Sequence, residues 1–269
     1  MKRKLYLVLA AITLVAFVAG CGNNNSNNNS NTNQGGSGGE EGAMLEVLRA
    51  GVKSDVPNFG IYDPETDTYS GLEIDLAHML AKELTGDETK VEFTAVTAQT
   101  RTPLLDNEDL DVIIATFTIT EERKLVHNFS TAYYEDAVGL LVKKDAGIES
   151  LEDCDGKIIG VAMSATSEDA IQAAADELGV NVTFEAFSTY PEIKAALDSG
   201  RVDIFSVDKS ILRGYMDDTT AILDDAFSPQ QYGVATKLAN KEVADKIEEL
   251  ITQWLNDGTL QELIDKHQI

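Results

Sequence analysis

Cations are scarce in this chain: 21 lysines and arginines stand against 46 aspartates and glutamates, a formal net charge of −25 over 269 residues. A field of that sign repels phosphate backbones and leaves nucleic acid out as a partner. Cysteine is nearly absent. Only Cys21 and Cys154 occur, so if the Cys21 sulfur is modified no internal disulfide can form, and Cys154 reads as a bystander in a turn. The signatures of common enzymes are missing too, with no G-x-S-x-G elbow, no Walker loop, no G-x-G-x-x-G fingerprint and no C-x-x-C. His78, His127 and His267 are dispersed without metal-ligand spacing, so no metal and no cofactor is expected. Nor is there a long apolar run: the stretch from Leu5 to Val18 is short for a bilayer span.

The flanks of that stretch explain it. Lys2, Arg3 and Lys4 precede it and Ala19-Gly20-Cys21 follows, the layout of a cleaved secretory signal over residues 1–20. Val18-Ala19-Gly20-Cys21 resembles a bacterial lipobox, which implies that Cys21 is lipidated and becomes the new N-terminus. Residues 22–42 are Asn, Ser, Gly and little else, a composition that cannot bury enough apolar surface to fold. Residues 21–43 therefore read as a tether with an r.m.s. span of roughly 25 Å, holding a globular body at the extracytoplasmic face of a membrane. Cleavage removes three cations and no anion and carries the formal charge from −25 to −28.

In the body, β-rich runs alternate with helical patterns: Val47 to Val52 then Leu72 to Leu84, Val91 to Val96 then Thr102 to Leu105, Val112 to Ala115 then Glu121 to Leu125. The alternation restarts with Ile158 to Val161, Ser167 to Leu178, Val182 to Phe187, Pro191 to Leu197, Val202 to Val207 and Ser210 to Met216. This is an α/β layout of mostly parallel strands in two units. On the helix from Leu72 the leucines gather near one face, with Glu73, Lys82 and Glu83 largely elsewhere. Thr102-Pro103 reads as an N-cap and first helical residue. Leu105-Asp106-x4-Asp111-Val112-Ile113 and Leu197-Asp198-x4-Asp203-Ile204-Phe205 match in type at an offset of 92 residues, which places Thr116 and Asp208 at corresponding strand ends. Ligands of open α/β sheets bind outside the carboxyl ends of strands. Lys53, Thr116, Thr118 and Asp208 all lie there, and two facing units would enclose one cleft. Tyr133 to Lys144 and Gln231 to Thr236 read as paired crossing strands of a hinge, after which helices from Asn240 to Leu255 and Thr259 to His267 return to the first unit.

Three cations near strand ends, Lys53, Arg101 and Arg123, reverse the sign of the surrounding field, and a small anionic ligand accounts for that. Arg123 closes the run Ala115-Thr116-Phe117-Thr118-Ile119-Thr120-Glu121-Glu122-Arg123, which Asn128-Phe129-Ser130-Thr131-Ala132-Tyr133-Tyr134 follows. These segments, with Gly71-Leu72-Glu73-Ile74-Asp75-Leu76-Ala77 and Gly156-Lys157-Ile158-Ile159-Gly160-Val161, resemble the amino-acid-binding proteins of ABC importers, solute-binding family 3. The resemblance runs from about Leu45 to His267. Lys53-Ser54-Asp55-Val56-Pro57, Gln99 to Asn107, Thr189-Tyr190-Pro191 and Ser206-Val207-Asp208-Lys209-Ser210 look most like its aspartate and glutamate binders.

The resemblance implies a two-lobe, periplasmic-binding-protein-like fold of type II: lobe 1 over residues 44–137 and 233–269, lobe 2 over residues 138–232, and a two-strand hinge. It implies that Arg123 clamps the ligand α-carboxylate, with Thr118 adding a hydroxyl and a backbone donor. Thr166 and Ser167 would offer helix N-terminal amides, or simply cap that helix. Asp208, helped by Thr116, would receive the α-ammonium, or cap the helix from Ser210, or both. Lys53, Arg101 and Tyr190 would meet the ligand side chain. Glu121 stands where many relatives carry proline, and the aromatic on which relatives stack neutral or basic ligands is missing near Asp55.

Three cations less Asp208 leave about +2, which favours aspartate or glutamate over glutamine, since glutamine would leave a buried cation unpaired at about 2–5 kcal/mol. Glutamine is the alternative because its shape is nearly the same. The expected protein is a monomeric, lipid-anchored receptor that closes on a free amino acid and delivers it to the membrane subunits of an ABC permease. A dehydratase on the same fold would need an acid or base beside the substrate, and a sensor ectodomain would need a further span or signalling domain after Ile269.

Overall fold

The protein is described by a computed structural model over residues 43–269. The signal at residues 1–20, Cys21 and all of the tether but Ala43 lie outside the described residues. Among those that are described, no helix is long and apolar enough to cross a membrane.

The first part of the chain runs β1 (Leu48–Val52), β2 (Asp55–Val56), β3 (Gly60–Asp63), β4 (Thr68–Ser70), α1 (Leu72–Thr85), β5 (Val91–Ala95), α2 (Arg101–Asp106), β6 (Val112–Ile114), α3 (Glu121–Lys124), β7 (His127–Phe129) and β8 (Tyr134–Lys143). A 3-10 turn at Leu151–Cys154 leads to β9 (Ile158–Ala162), α4 (Ser167–Leu178), β10 (Thr183–Phe187), α5 (Tyr190–Ser199), β11 (Ile204–Asp208), α6 (Lys209–Tyr215), β12 (Thr220–Ile222), β13 (Phe227–Tyr232), β14 (Ala235–Lys237), α7 (Lys241–Asp257) and α8 (Thr259–His267).

Two sheets carry the two lobes. The first has the order β5-β1-β6-β14-β7 and the second β10-β9-β11-β8-β12, with β13 beside β8. β5, β1 and β6 are parallel, as are β10, β9 and β11. Most strands of each sheet run one way, as expected, and only β14 and β8 insert antiparallel to their neighbours. The reason is topological. The chain passes between the lobes in opposite directions on β8 and on β13–β14, so the crossing strands pair antiparallel, Tyr134 with Tyr232 and Asp136 with Gln230. The pairing partner of β8 begins at Phe227, earlier than the expected Gln231, and β14 belongs to the first sheet.

Two local expectations change. α2 starts at Arg101 with Thr100 at its N-cap, so Thr102 and Pro103 fall inside its first turn. Thr100 Oγ1 accepts the Thr97 amide and Thr97 Oγ1 the Thr100 amide, and this turn sets the helix start one residue ahead of Thr102. Glu73, expected off the apolar face of α1, is fully buried. Gly71 explains it: at φ 129 it lies so close to the Phe59 carbonyl that a Cβ would collide with that oxygen, and this approach turns the first helical residues inward.

One apolar cluster runs from β1 and α1 through Tyr133 and Tyr232 to Tyr190 and Phe205, so packing is continuous from one lobe to the other. Val138, Leu140, Ile159 and Ile171 form a second core on the far face of the second sheet, and Leu105, Ile113 and Phe117 a third in the first lobe.

Candidate functional site

β1 and β6 end side by side, with Val52 opposite Ile114, so Lys53 and the Ala115–Thr118 segment leave the sheet next to each other. β11 brings Asp208 to the same region from the second lobe, at the end of a strand buried along its whole length. Lys53, Arg101, Thr116, Thr118, Ser167, Tyr190 and Asp208 are all buried. The structure thus brings the expected residues together from six elements and both lobes.

The lobes touch across them. Arg123 Nη1 donates to Thr118 O at 2.8 Å and Nη2 to Ser164 O of the second lobe at 3.3 Å. Tyr190 N donates to Asp55 Oδ2 at 3.4 Å, and the Tyr215 hydroxyl donates to the Asp55 carbonyl. Beside these contacts, a Cβ on Gly214 would lie 2.8 Å from the Pro57 ring, so the small residue permits the close approach of α6. A groove edged by Arg123, Ser164, Thr166, Asp169 and Phe227 opens next to the Arg123 contact.

Phe117 organises two of the cations. The Arg101 and Arg123 guanidinium carbons lie 4.0 and 4.6 Å from its ring centroid, a cation–π arrangement for each. Burial, with the charge of Arg101 added, pulls Arg123 down to about 9. A guanidinium held below its usual range in this way calls for an anion. Lys53 has one already: its Nζ is 3.0 Å from Asp55 Oδ1 and 4.5 Å from the Tyr190 ring centroid. Burial pulls Lys53 down while Asp55 pushes it back up.

Residues 48–166 match the family described as bacterial extracellular solute-binding proteins, family 3. The ABC transporter glutamine-binding protein GlnH of Bacillus subtilis is 34% identical, covering 99% of this chain and 97% of its own, and a glutamine-binding protein of Geobacillus stearothermophilus is 37% identical, covering 90% and 97%. The chain belongs to solute-binding protein family 3. An ancestral arginine-binding protein solved with arginine matches this family 3 protein at a TM-score of 0.74 and 35% identity, over 83% of this chain and 98% of that one. The fold is therefore of the two-lobe, type II kind, and the function is amino-acid binding for an ABC transporter. Both the Bacillus and the Geobacillus relatives are glutamine-binding proteins, so the expected leaning toward the aspartate and glutamate members is not what these similarities favour.

The tertiary structure of this solute-binding protein also revises the charge count made from the sequence. That count omits two carboxylates, Asp55 beside Lys53 and Glu73 beneath Thr116. Lys53, Arg101 and Arg123 face Asp55, Glu73 and Asp208, three basic side chains and three acidic ones. Asp55 sits in the motif from Lys53 to Pro57, where nothing in the sequence gives it a role. Glu73 lies in the motif from Gly71 to Ala77, but nothing in the sequence shows that it turns into the interior.

The capping alternatives resolve. Asp208 occupies the N-cap position of α6 but makes no side-chain cap bond, and Asp136 Oδ2 takes the Ser210 amide instead at 2.9 Å. Asp208 Oδ2 receives the Tyr232 hydroxyl at 2.5 Å, and burial raises this carboxyl to about 7. Thr166 precedes α4 without capping it, and its hydroxyl donates to Gln230 Oε1 at 2.7 Å. Thr118 donates to the same oxygen at 2.7 Å. Gln230 Nε2 donates to Ser228 O at 2.9 Å, which fixes the orientation of the amide. In this arrangement the Thr118 hydroxyl gives its proton to Gln230 and keeps its lone pairs. Gln230 and Tyr232 are missing from the expected site because nothing near them in sequence marks a partner.

Proposed function

We propose that this protein is the extracytoplasmic binding component of an ABC importer and that its ligand is glutamine. The balance of three cations by three carboxylates in the site carries the reading. Glutamine enters as a net-neutral zwitterion and preserves that balance, whereas a surplus charge in such a site costs about 2–5 kcal/mol. Arg123 takes the α-carboxylate, Asp208 the α-ammonium, and the Thr118 and Thr166 hydroxyls accept from donors on the ligand. Lys53, Arg101, Thr116 and Tyr190 line the side-chain end, with the Ser167 end of α4 facing the carboxylate. Contacts from both lobes bias the equilibrium toward closure, since a ligand touching one lobe alone could not do so. The glutamine-binding relatives support the same choice. Binding, not catalysis, is the role.

Glutamate is the second reading: Arg101 Nε is buried without a hydrogen-bond partner, and a side-chain carboxylate would meet it with a charge-assisted bond where the glutamine carbonyl offers a neutral one. A melting screen with glutamine, glutamate, aspartate and arginine separates the readings. A ligand at a hundredfold excess over its Kd adds about 2.7 kcal/mol to stability. Glutamine is expected to give the largest shift; a larger shift with glutamate reverses the order, and no shift with any of them removes the reading. A lipid on Cys21 and a monomeric body complete the proposal.

A further inference from the structure

Glu73 has no ligand contact assigned to it in the proposed binding mode, yet it is completely withdrawn from solvent beside the cleft. Its Oε1 accepts the Thr116 amide at 2.5 Å and the Tyr133 hydroxyl at 2.5 Å. Thr116 stands at φ 42, in the left-handed region, where a β-branched residue is a true outlier. The opposite end of the same peptide unit is held as well: Arg101 Nη1 donates to Ala115 O at 2.7 Å and to Thr116 O at 3.3 Å. The Ala115–Thr116 peptide is therefore gripped by a carboxylate at its N–H and by a guanidinium at its C=O. The Thr116 hydroxyl is left buried with no partner of its own.

We infer that Glu73 is a positioning residue of the ligand site, which with Arg101 clamps the Ala115–Thr116 peptide, holds Thr116 at positive φ and so aims the Thr116 hydroxyl and the Phe117–Thr118 segment at the ligand. The inference rests on the proposed amino-acid ligand only for what is aimed at. An apolar side chain at position 73 would leave the Thr116 N–H and the Tyr133 O–H unsatisfied in the interior, where unmade hydrogen bonds are costly. Tyr133 immediately precedes β8. The same carboxylate thus joins the first turn of α1, the loop after β6 and the start of the crossing strand.

A double-mutant cycle between positions 73 and 116 tests it, read by calorimetric titration with L-glutamine and L-glutamate and by melting of the ligand-free protein. Glu73→Gln keeps a carbonyl acceptor and is expected to bind the better of the two ligands within about threefold of wild type, whereas Glu73→Met, with no acceptor, loses at least about tenfold for both. Glycine adopts φ 42 without a clamp. Thr116→Gly is therefore expected to weaken the wild type by removing the hydroxyl, but to strengthen binding by Glu73→Met at least about threefold, and to raise the melting point of that variant more than that of the wild type. If Glu73→Met does not fold, Glu73→Asp, one methylene too short to reach the Thr116 amide, takes its place in the same cycle. Additive effects at the two positions, or wild-type affinity without an acceptor at position 73, would overturn the inference. Should the wild type bind neither amino acid, the ligand reading fails, while the melting cycle still decides whether the clamp exists.

Discussion

Lys53 and Asp55 form an ion pair inside the interlobe contact, Nζ 3.0 Å from Oδ1, with the ammonium only 3% exposed and poised over Tyr190. A single residue, Ser54, separates them in sequence, yet the pair decides the electrostatics of the site. It takes one cation out of the pool that a ligand carboxylate could claim.

Asp55→Asn should therefore change selectivity more than affinity. The substitution leaves Lys53 buried without a counter-charge, and breaking a buried pair costs several kcal/mol. Glutamate can restore the missing charge and glutamine cannot. The ratio of glutamate to glutamine affinity is expected to rise at least about tenfold, measured by calorimetric titration of both. An equal loss for the two ligands would mean that the pair only holds the lobes together.

Arg123→Ala should lose ligand binding by at least about a hundredfold, roughly 3 kcal/mol, since charge-assisted hydrogen bonds of a guanidinium to a carboxylate are strong. Its effect on the ligand-free melt should stay below about 1 kcal/mol. Burial already disfavours the charge of this guanidinium, as its lowering to about 9 indicates. Normal binding by the variant, or a large drop in its melting point, would assign Arg123 to the fold.

The pH dependence follows from Asp208 and Glu73. Burial raises Asp208 from 3.8 to about 7 and Glu73 from 4.5 to about 6. For an acid with a raised folded-state pKa, the stabilising contribution is complete below the unfolded value and is lost as pH rises through the folded one. The ligand-free protein should therefore lose stability between about pH 4 and pH 7 on account of these two groups. Ligand affinity should move the opposite way, because the ammonium needs an ionised Asp208. Calorimetry at about pH 6 in two buffers of different ionisation enthalpy should show a proton released on binding. No proton release, with affinity flat from about pH 5 to about pH 7.5, would take the ammonium away from Asp208.

Cys21→Ala tests the anchor. A strongly acidic body is repelled by an anionic membrane surface, so the proposed membrane attachment depends on the proposed lipid. The variant should move from the membrane fraction to the soluble one with an unchanged melt of the body. Wild type without a lipid on Cys21 by mass spectrometry would remove the tether from the proposal.

The alternation of strand and helix, the helix from Ser167 to Leu178 and the crossing of two paired strands were legible in the sequence, because each depends on local periodicity and on turn chemistry. Arg123 and the threonine-rich strand end were legible through their motif. The direction of each contact was not. Thr118 meets Gln230 from 112 residues away, Tyr190 meets Asp55 across 135, and Thr116 meets Glu73 across 43. Sequence thus determined which charged and hydroxyl side chains could reach the cleft. Only the tertiary structure decided which were already paired, because the net charge of a buried site depends on partners that long-range packing brings within about 3 Å.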